Sequence, residues 1–406
     1  AEAGWDINTG DTDIVLAIID TVVDWEHEDL QAKIWQNEDE VLNGFDSDGN
    51  GKIDDIRGWD FVHVQSWMTP AHASEDGKDP DNNPMDVDGH GTHCAGIAGG
   101  ATNNGVGVAA INWGVKIMPV RVGYHTEEGE GSIPFGYQGI VYAADNGADI
   151  LSLSWGGSGF QQAGQDFINY AWEKGCVIIA AAGNENTDEH LFPAAYNHVL
   201  SVAATGNTSD QKAWFSNFGD WVDVCAPGSY INATIPNNSY VHKSGTSMAC
   251  PMVAGAAGLV MSQFPSFNNH DIVTQIAMTC DDIYDVNPGF QGQLGYGRIN
   301  LEVMLQAAEW RPNLKLSNVY IDDSDGNNNG FADPGEIIKL ILDIENAFIG
   351  GDISGLTMTL SSMDSDINLN INSSNIDYIS ALQTVSNSTS PFKFTVASNA
   401  VSHRAS

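Results

Sequence analysis

Basic residues are scarce in this chain: 15 Lys and Arg stand against 53 Asp and Glu, a formal charge of −38 over 406 residues. A phosphate backbone or an anionic membrane surface would repel such a chain, so nucleic acid and membrane are excluded as expected partners. Long apolar runs are absent too. No segment reaches the roughly 18 residues that a membrane-spanning helix needs, and Ala1 opens no basic stretch followed by an apolar one. Cysteine is sparse and odd in number: Cys94, Cys176, Cys225, Cys250 and Cys280 leave at least one thiol free or paired outside the chain. Each lies among apolar or small residues, where cysteine acts as a small buried hydrophobe. What is plentiful is apolar residues, 42% of the composition, enough for a large core and for a second domain beside the first.

From residue 13 to about residue 308, short apolar β-branched runs alternate with longer helical stretches. Strands are expected over 14–19, 116–122, 150–154, 177–181 and 200–204, and helices over 136–146, 162–174 and 248–264. That alternation predicts an α/β fold with a mostly parallel sheet covered on both faces, sites gathering at the carboxyl ends of its strands. Beyond Trp310-Arg311-Pro312, Ser and Asn become abundant, and 314–321, 337–344 and 356–360 read as antiparallel strands. The expected domains are 1–311 and a smaller all-β, sandwich-like domain over 312–406. No closing strand is evident before Ser406, so the second domain is expected to be incomplete. No repeat of fixed period occurs.

Three segments place a reactive group beside glycines or at the end of an apolar run. In Ile18-Ile19-Asp20-Thr21 a carboxylate ends a buried strand, a place that suits a rigidly held acid and equally a turn or helix cap. In Asp88-Gly89-His90-Gly91-Thr92-His93-Cys94 a helix begins at a histidine, the side chain whose unperturbed pKa best suits a general base. His90 and His93 could instead be two zinc ligands, although the third ligand and the helix-borne Glu of a zinc hydrolase are missing. In Ser244-Gly245-Thr246-Ser247-Met248-Ala249 a serine opens the most apolar helix. It reads as an N-cap, or as a nucleophile whose oxyanion would lie at the positive end of the helix dipole. The order acid, histidine, serine is that of subtilisin. No Gly-x-Ser-x-Gly elbow surrounds Ser247, which disfavours an esterase of another fold.

Four blocks carry a resemblance to the subtilisin-like serine protease (subtilase) family: Ile19-Asp20-Thr21 with His27-Glu28-Asp29-Leu30, Gly89-His90-Gly91-Thr92-His93, Ala182-Gly183-Asn184, and Gly245-Thr246-Ser247-Met248-Ala249. The resemblance implies a subtilisin-like three-layer fold and a serine endopeptidase acting on proteins and peptides through an acyl-enzyme. Ser247 would be the nucleophile, His90 the base and Asp20 its orienting acid, the three forming one hydrogen-bonded line. Asn184 would share the oxyanion with the Ser247 backbone N–H. Ser154, Trp155, Gly156 and Gly183 would bind substrate main chain, which implies broad specificity. The resemblance also implies secretion, a monomer, and removal of an N-terminal pro-segment. Val22 stands where the family usually has Gly and Met252 where it usually has His; neither supplies a catalytic proton or charge.

Calcium (Ca2+) is the expected cofactor. Asp325, Asn327, Asn329, the Phe331 carbonyl, Asp333 and Glu336 occupy the ligand positions of a twelve-residue calcium loop with Gly330 at the sixth. Asp46, Asp48, Asn50, Lys52 and Asp54 repeat its first half, but Arg57 replaces the bidentate Glu, so either Asp54 or Asp55 must serve or the segment is a solvated acidic turn. The segment 102–108 resembles a family calcium loop in which Asn104 joins Asp29. The acidic run 79–88 has no ligand spacing and reads as a hydrated loop.

Overall fold

The computed structural model describes residues 1–76, 79–129, 131–306, 314–346, 353–362, 364, 366–380 and 383–400. Two compact units divide the chain, Ala1–Ala308 and Glu309–Ser406. The boundary expected after residue 311 falls in 307–313, outside the described residues.

Seven strands of the first unit form one parallel sheet: β1 (Val15–Asp20), β2 (Trp59–Asp60), β3 (Lys116–Arg121), β4 (Ile150–Leu153), β5 (Val177–Ala181), β6 (Val199–Thr205) and β7 (Val224–Pro227). Their order is β7-β6-β5-β4-β1-β3-β2, every pairing parallel. From β4 to β7 the chain steps outward on one side of β1, while β3 and the edge strand β2 lie on the other, so the strand order reverses at β1 and a crevice opens at the carboxyl end of that strand. Five of the strands are the expected apolar runs, shifted by a residue or two at their ends. The edge strands β2 and β7 were not expected, because Trp-Asp and Val-Cys-Ala-Pro are too short to show a period.

Side-chain alternation along the strands builds two cores. Leu16 and Ile18 point to one face, where they meet Ala95 and Ala98 of α1 (His90–Gly99) and Ala249, Val253 and Ala257 of α4 (Thr246–Gln263). Ala17 and Ile19 point to the other, against Ile140 and Ala143 of α2 (Gly136–Asp145) and Ile168 and Ala171 of α3 (Gln162–Glu173). Thirteen of the 18 residues of α4 are buried, which is why its sequence is apolar all round. Gly255 is needed there: a Cβ would lie 2.7 Å from the Ala98 carbonyl oxygen of α1. The expected start of α4 at residue 248 is corrected to Thr246; Gly245 is extended and accepts from the Met248 N–H, so Ser247 lies inside the first turn. All five cysteines are free, four of them buried, and no helix among the described residues is long and apolar enough to cross a membrane.

In the second unit, Leu314–Asp322, Ile337–Asn346, Phe392–Val396 and Ile367–Ile371 pair in that order, with Thr384–Ser386 also on Ile337–Asn346. Ile353–Thr359 pairs with Ser373–Ile379, and all these pairings are antiparallel. Ile344, Ile353, Ile376 and Ile379 form a small core beneath them.

Candidate active site

Asp20 is the last residue of β1 and only 1% exposed. One carboxylate oxygen, Oδ1, accepts from the Thr21 N–H at 2.7 Å and lies 2.8 Å from His90 Nδ1. The other oxygen is buried without a hydrogen-bond partner among the described residues. His90 is the first residue of α1, and the preceding Gly89 adopts φ +88, which a side chain would resist. A Cβ at Gly89 would also lie 2.9 Å from Pro236 Cδ.

A second buried acid shapes this corner. Asp86 Oδ1 accepts from the Thr21 hydroxyl and the Gly89 N–H, while Oδ2 accepts from the N–H and hydroxyl of Thr92. It thereby ties the end of β1 to the start of α1. Asp86 belongs to the acidic run read as a hydrated loop, a reading the structure corrects at this residue: Asp86 is 3% exposed because four donors converge on it.

Burial disfavours a charged His90 ring, but the Asp20 carboxylate beside it outweighs that effect and raises the pKa above its ordinary value. Nδ1 faces Asp20, and Nε2 has no bonded partner among the described residues. His93 points elsewhere. Its Nε2 lies 3.0 Å from the Val241 carbonyl, and burial lowers its pKa to about 4. The two histidines therefore share no ligand cluster among the described residues, and the zinc alternative lapses.

Ser247 is held by its backbone. Pro251 has no N–H, so the Ser247 carbonyl four residues earlier lacks its helical donor. It accepts instead from Ser154 Oγ at 3.0 Å and from Cys94 Sγ at 3.3 Å, which fastens the serine to the end of β4 and to α1, one turn beyond His90. The Ser247 hydroxyl donates to the Ser154 carbonyl at 3.2 Å. Of the expected line of hydroxyl, imidazole and carboxylate, the imidazole–carboxylate half is formed and the hydroxyl–imidazole half is not, because the hydroxyl has another acceptor.

Asn184 follows Gly183 at the end of β5. Its Oδ1 accepts from the Thr246 N–H at 2.8 Å and the Thr246 hydroxyl at 3.1 Å, and that hydroxyl accepts from the Gly183 N–H. With its oxygen fixed on Thr246, the Asn184 amide group keeps both N–H donors free of acceptors among the described residues. Gly183 has φ +103, and a Cβ there would lie 2.4 Å from Asn217 Nδ2. A cavity of about 570 Å³ opens beside the Asp20–His90 pair, lined by Asp20, Asp88, His90, Ser154, Trp155 and Gly156 among others. The Trp155 indole N–H donates to the Ile19 carbonyl at 2.8 Å, anchoring the cavity wall to the central strand.

Neither candidate cation loop of the first unit contributes a residue to the lining of this cavity. In the first, the oxygens of Glu40, Asp48 and Asp55 lie within 4.8 Å of one another. Asp46 instead caps Gly49 and Gly51, Asp54 caps Asn43 and Gly44, and the Lys52 ammonium lies over the Trp59 and Phe61 rings. Asn50 donates to both Asp48 and Asp55. Of the residues that the spacing nominated, Asp48 and the alternative Asp55 are brought together, and Glu40, which it did not nominate, joins them. Asp29 is fully buried and accepts from Asn104 Nδ2 at 2.6 Å and the Val108 N–H at 3.0 Å. In the second unit Asn327 and Asn329 both donate to Asp333, and Glu336 accepts from the Asn327 N–H. Asp325 pairs with Lys339 at 3.3 Å, and Phe331 is exposed. The donor set is oxygen-rich in all three loops, as calcium requires.

Residues 11–297 match the model described as Subtilase family, Peptidase S8. The chain belongs to the subtilase family. This subtilase is 38% identical over 296 residues to a thermophilic serine proteinase of Bacillus sp. (strain AK1), an alignment covering 73% of this chain and 62% of that one. It is 41% identical over 287 residues to thermitase of Thermoactinomyces vulgaris, covering 70% and 86%. A solved protease structure from Pseudoalteromonas arctica superposes with a TM-score of 0.60 at 28% identity, covering 75% of this chain and 92% of that one. The seven-stranded parallel sheet with its helices is the subtilisin α/β fold, to which the antiparallel second unit is appended.

Proposed function

We propose that this subtilase is a secreted endopeptidase of broad specificity that cleaves peptide bonds through Asp20, His90 and Ser247 and is stabilised by calcium. The observation that carries the catalytic assignment is the 2.8 Å contact of a buried carboxylate with His90 Nδ1, which leaves Nε2 free to take a proton. Once substrate binds, rotation of Ser247 about χ1 moves its hydroxyl from the Ser154 carbonyl to His90 Nε2; such contacts commonly tighten only in the substrate complex.

Ser247 Oγ then attacks the substrate carbonyl while His90 takes its proton. The tetrahedral oxyanion receives the Asn184 amide N–H and the Ser247 backbone N–H at the start of α4, where the helix dipole adds to them. Asp20 stabilises the imidazolium, which passes its proton to the leaving amine; water repeats the steps in reverse on the acyl-enzyme. The segment 154–157 offers main-chain groups to an extended peptide, which supports broad rather than sequence-specific recognition. Secretion rests on the family resemblance. Calcium rests on the oxygen-rich loops around Asp48, Asp29 and Asn327.

Ser247→Ala should lower kcat on a protein substrate by about 10⁶ and abolish labelling by a serine-directed phosphonofluoridate. Labelling at another residue, or casein clearing that survives the substitution, would refute the assignment. Two observations favour a second reading, a calcium-stabilised binding protein on an inactive fold: the bond of the Ser247 hydroxyl to Ser154 and its lack of a bond to His90. The same experiment decides between them, since such a protein would neither clear casein nor be labelled.

A further inference from the structure

We infer that Leu191 limits the side chain accepted immediately before the scissile bond to small residues such as Ala, Ser or Gly; this rests on the catalytic reading above. β4 and β5 are neighbouring parallel strands, and both continuations reach the start of α4, Ser154 by holding Ser247 and Asn184 by holding Thr246. A peptide carbonyl placed between Ser247 and Asn184 must send the preceding side chain into the slot between those continuations. The slot has glycine walls, Gly156 on one side and Gly183 on the other.

Glycine walls normally make room for a large side chain, but here a third residue takes the space. A Cβ at Gly156 would lie 2.5 Å from Leu191 Cδ2, and one at Gly183 would lie 2.9 Å from the same atom. One leucine methyl group therefore spans the slot from wall to wall.

Leu191 is not free to swing away. The short ribbon of Gly157–Ser158 and Leu191–Phe192 pairs Ser158 with Leu191 and Gly157 with Phe192. Phe192 is packed against Tyr196 at 4.6 Å and Phe160 at 5.7 Å, and His190 against Trp221 at 5.7 Å, so the residues on both sides of Leu191 are anchored by rings. Glu185 at the wall accepts from both the Asn184 N–H and Asn217 Nδ2 through Oε2, which fixes that oxygen beside Gly183. Small size is what the slot selects.

The test compares two internally quenched peptides that differ only in Ala or Phe before the cleaved bond. Wild type should favour Ala, and Leu191→Ala and Leu191→Gly should each raise the Phe-to-Ala ratio of kcat/KM by about tenfold or more, the range expected for opening an apolar pocket. Measuring a ratio within each variant cancels any loss of folded enzyme. A wild type that prefers Phe, or a ratio that neither substitution moves, overturns the inference. Cleavage that persists in Ser247→Ala would instead sink the catalytic reading, a result distinct from an unmoved ratio.

Discussion

Asp20 and His90 meet under opposing pressures. Desolvation favours the neutral ring, yet a buried carboxylate 2.8 Å away favours the charged one and prevails, so His90 titrates above its ordinary 6.5. A general base must be neutral, so kcat/KM should fall on the acid side with a midpoint above 6.5. Asp20→Asn removes the opposing charge while burial remains, and the residual activity should show that limb at lower pH; a pH profile of both enzymes checks the direction. A limb that stayed in place would mean another group controls it. These two residues were legible because a strand-ending acid and a helix-opening histidine bring short motifs of their own. Asp86 and Leu191 were not, because their roles lie in what folds over them: Asp86 sits in an acidic run with no ligand spacing, and Leu191 looks like any strand residue.

At the scale of elements, the start of α1 is held by Asp86 and the start of α4 by the carbonyl that Pro251 leaves unbonded. Asp86 is pushed up to about 6, chiefly by burial, with hydrogen bonds from Thr92 and Gly89 opposing only part of the effect. Its folded value lies above the ordinary 3.8, so its contribution to stability is complete below about pH 4 and is lost as pH rises through 6. In a Ser247→Ala background, which prevents self-digestion, urea unfolding should therefore show an advantage of Asp86 over Asp86→Asn that is larger at pH 4 than at pH 7.5. The change should be on the order of a few kcal/mol at most. A difference independent of pH would mean that the buried carboxyl does not titrate across this range. Strand and helix positions were largely readable from periodicity. The start of α4 was misplaced by two residues because Thr246 and Ser247 resemble cap residues, and only the extended Gly245 decides where the helix begins.

For the whole molecule, a charge of −38 must be tolerated by a compact fold, and self-repulsion of that size works against folding. Calcium bound by the folded state alone would offset part of it, by about 2.7 kcal/mol for a site with free ion at a hundred times its dissociation constant. Chelation should therefore lower the Tm of Ser247→Ala and accelerate autolysis of the wild type. Unchanged Tm and autolysis together would remove the case for structural calcium. In the acidic cluster, Asp46 and Asp54 match a linear template and their carboxylates cap nearby backbone N–H groups, while the chain reversal gathers Asp48 and Asp55 with Glu40, a residue that spacing alone does not nominate.

By itself the sequence determined the α/β class and the family resemblance and nominated Asp20, His90, Asn184 and Ser247, because periodicity and short motifs are local properties that survive without coordinates. Only the tertiary structure decided which nitrogen of His90 faces an acid, which acceptor the Ser247 hydroxyl takes, which carboxylates gather around Asp48, and what fills the slot between Gly156 and Gly183. Those are relations between segments that lie up to 93 residues apart, and nothing in a linear pattern specifies the distance between two strands once they pack.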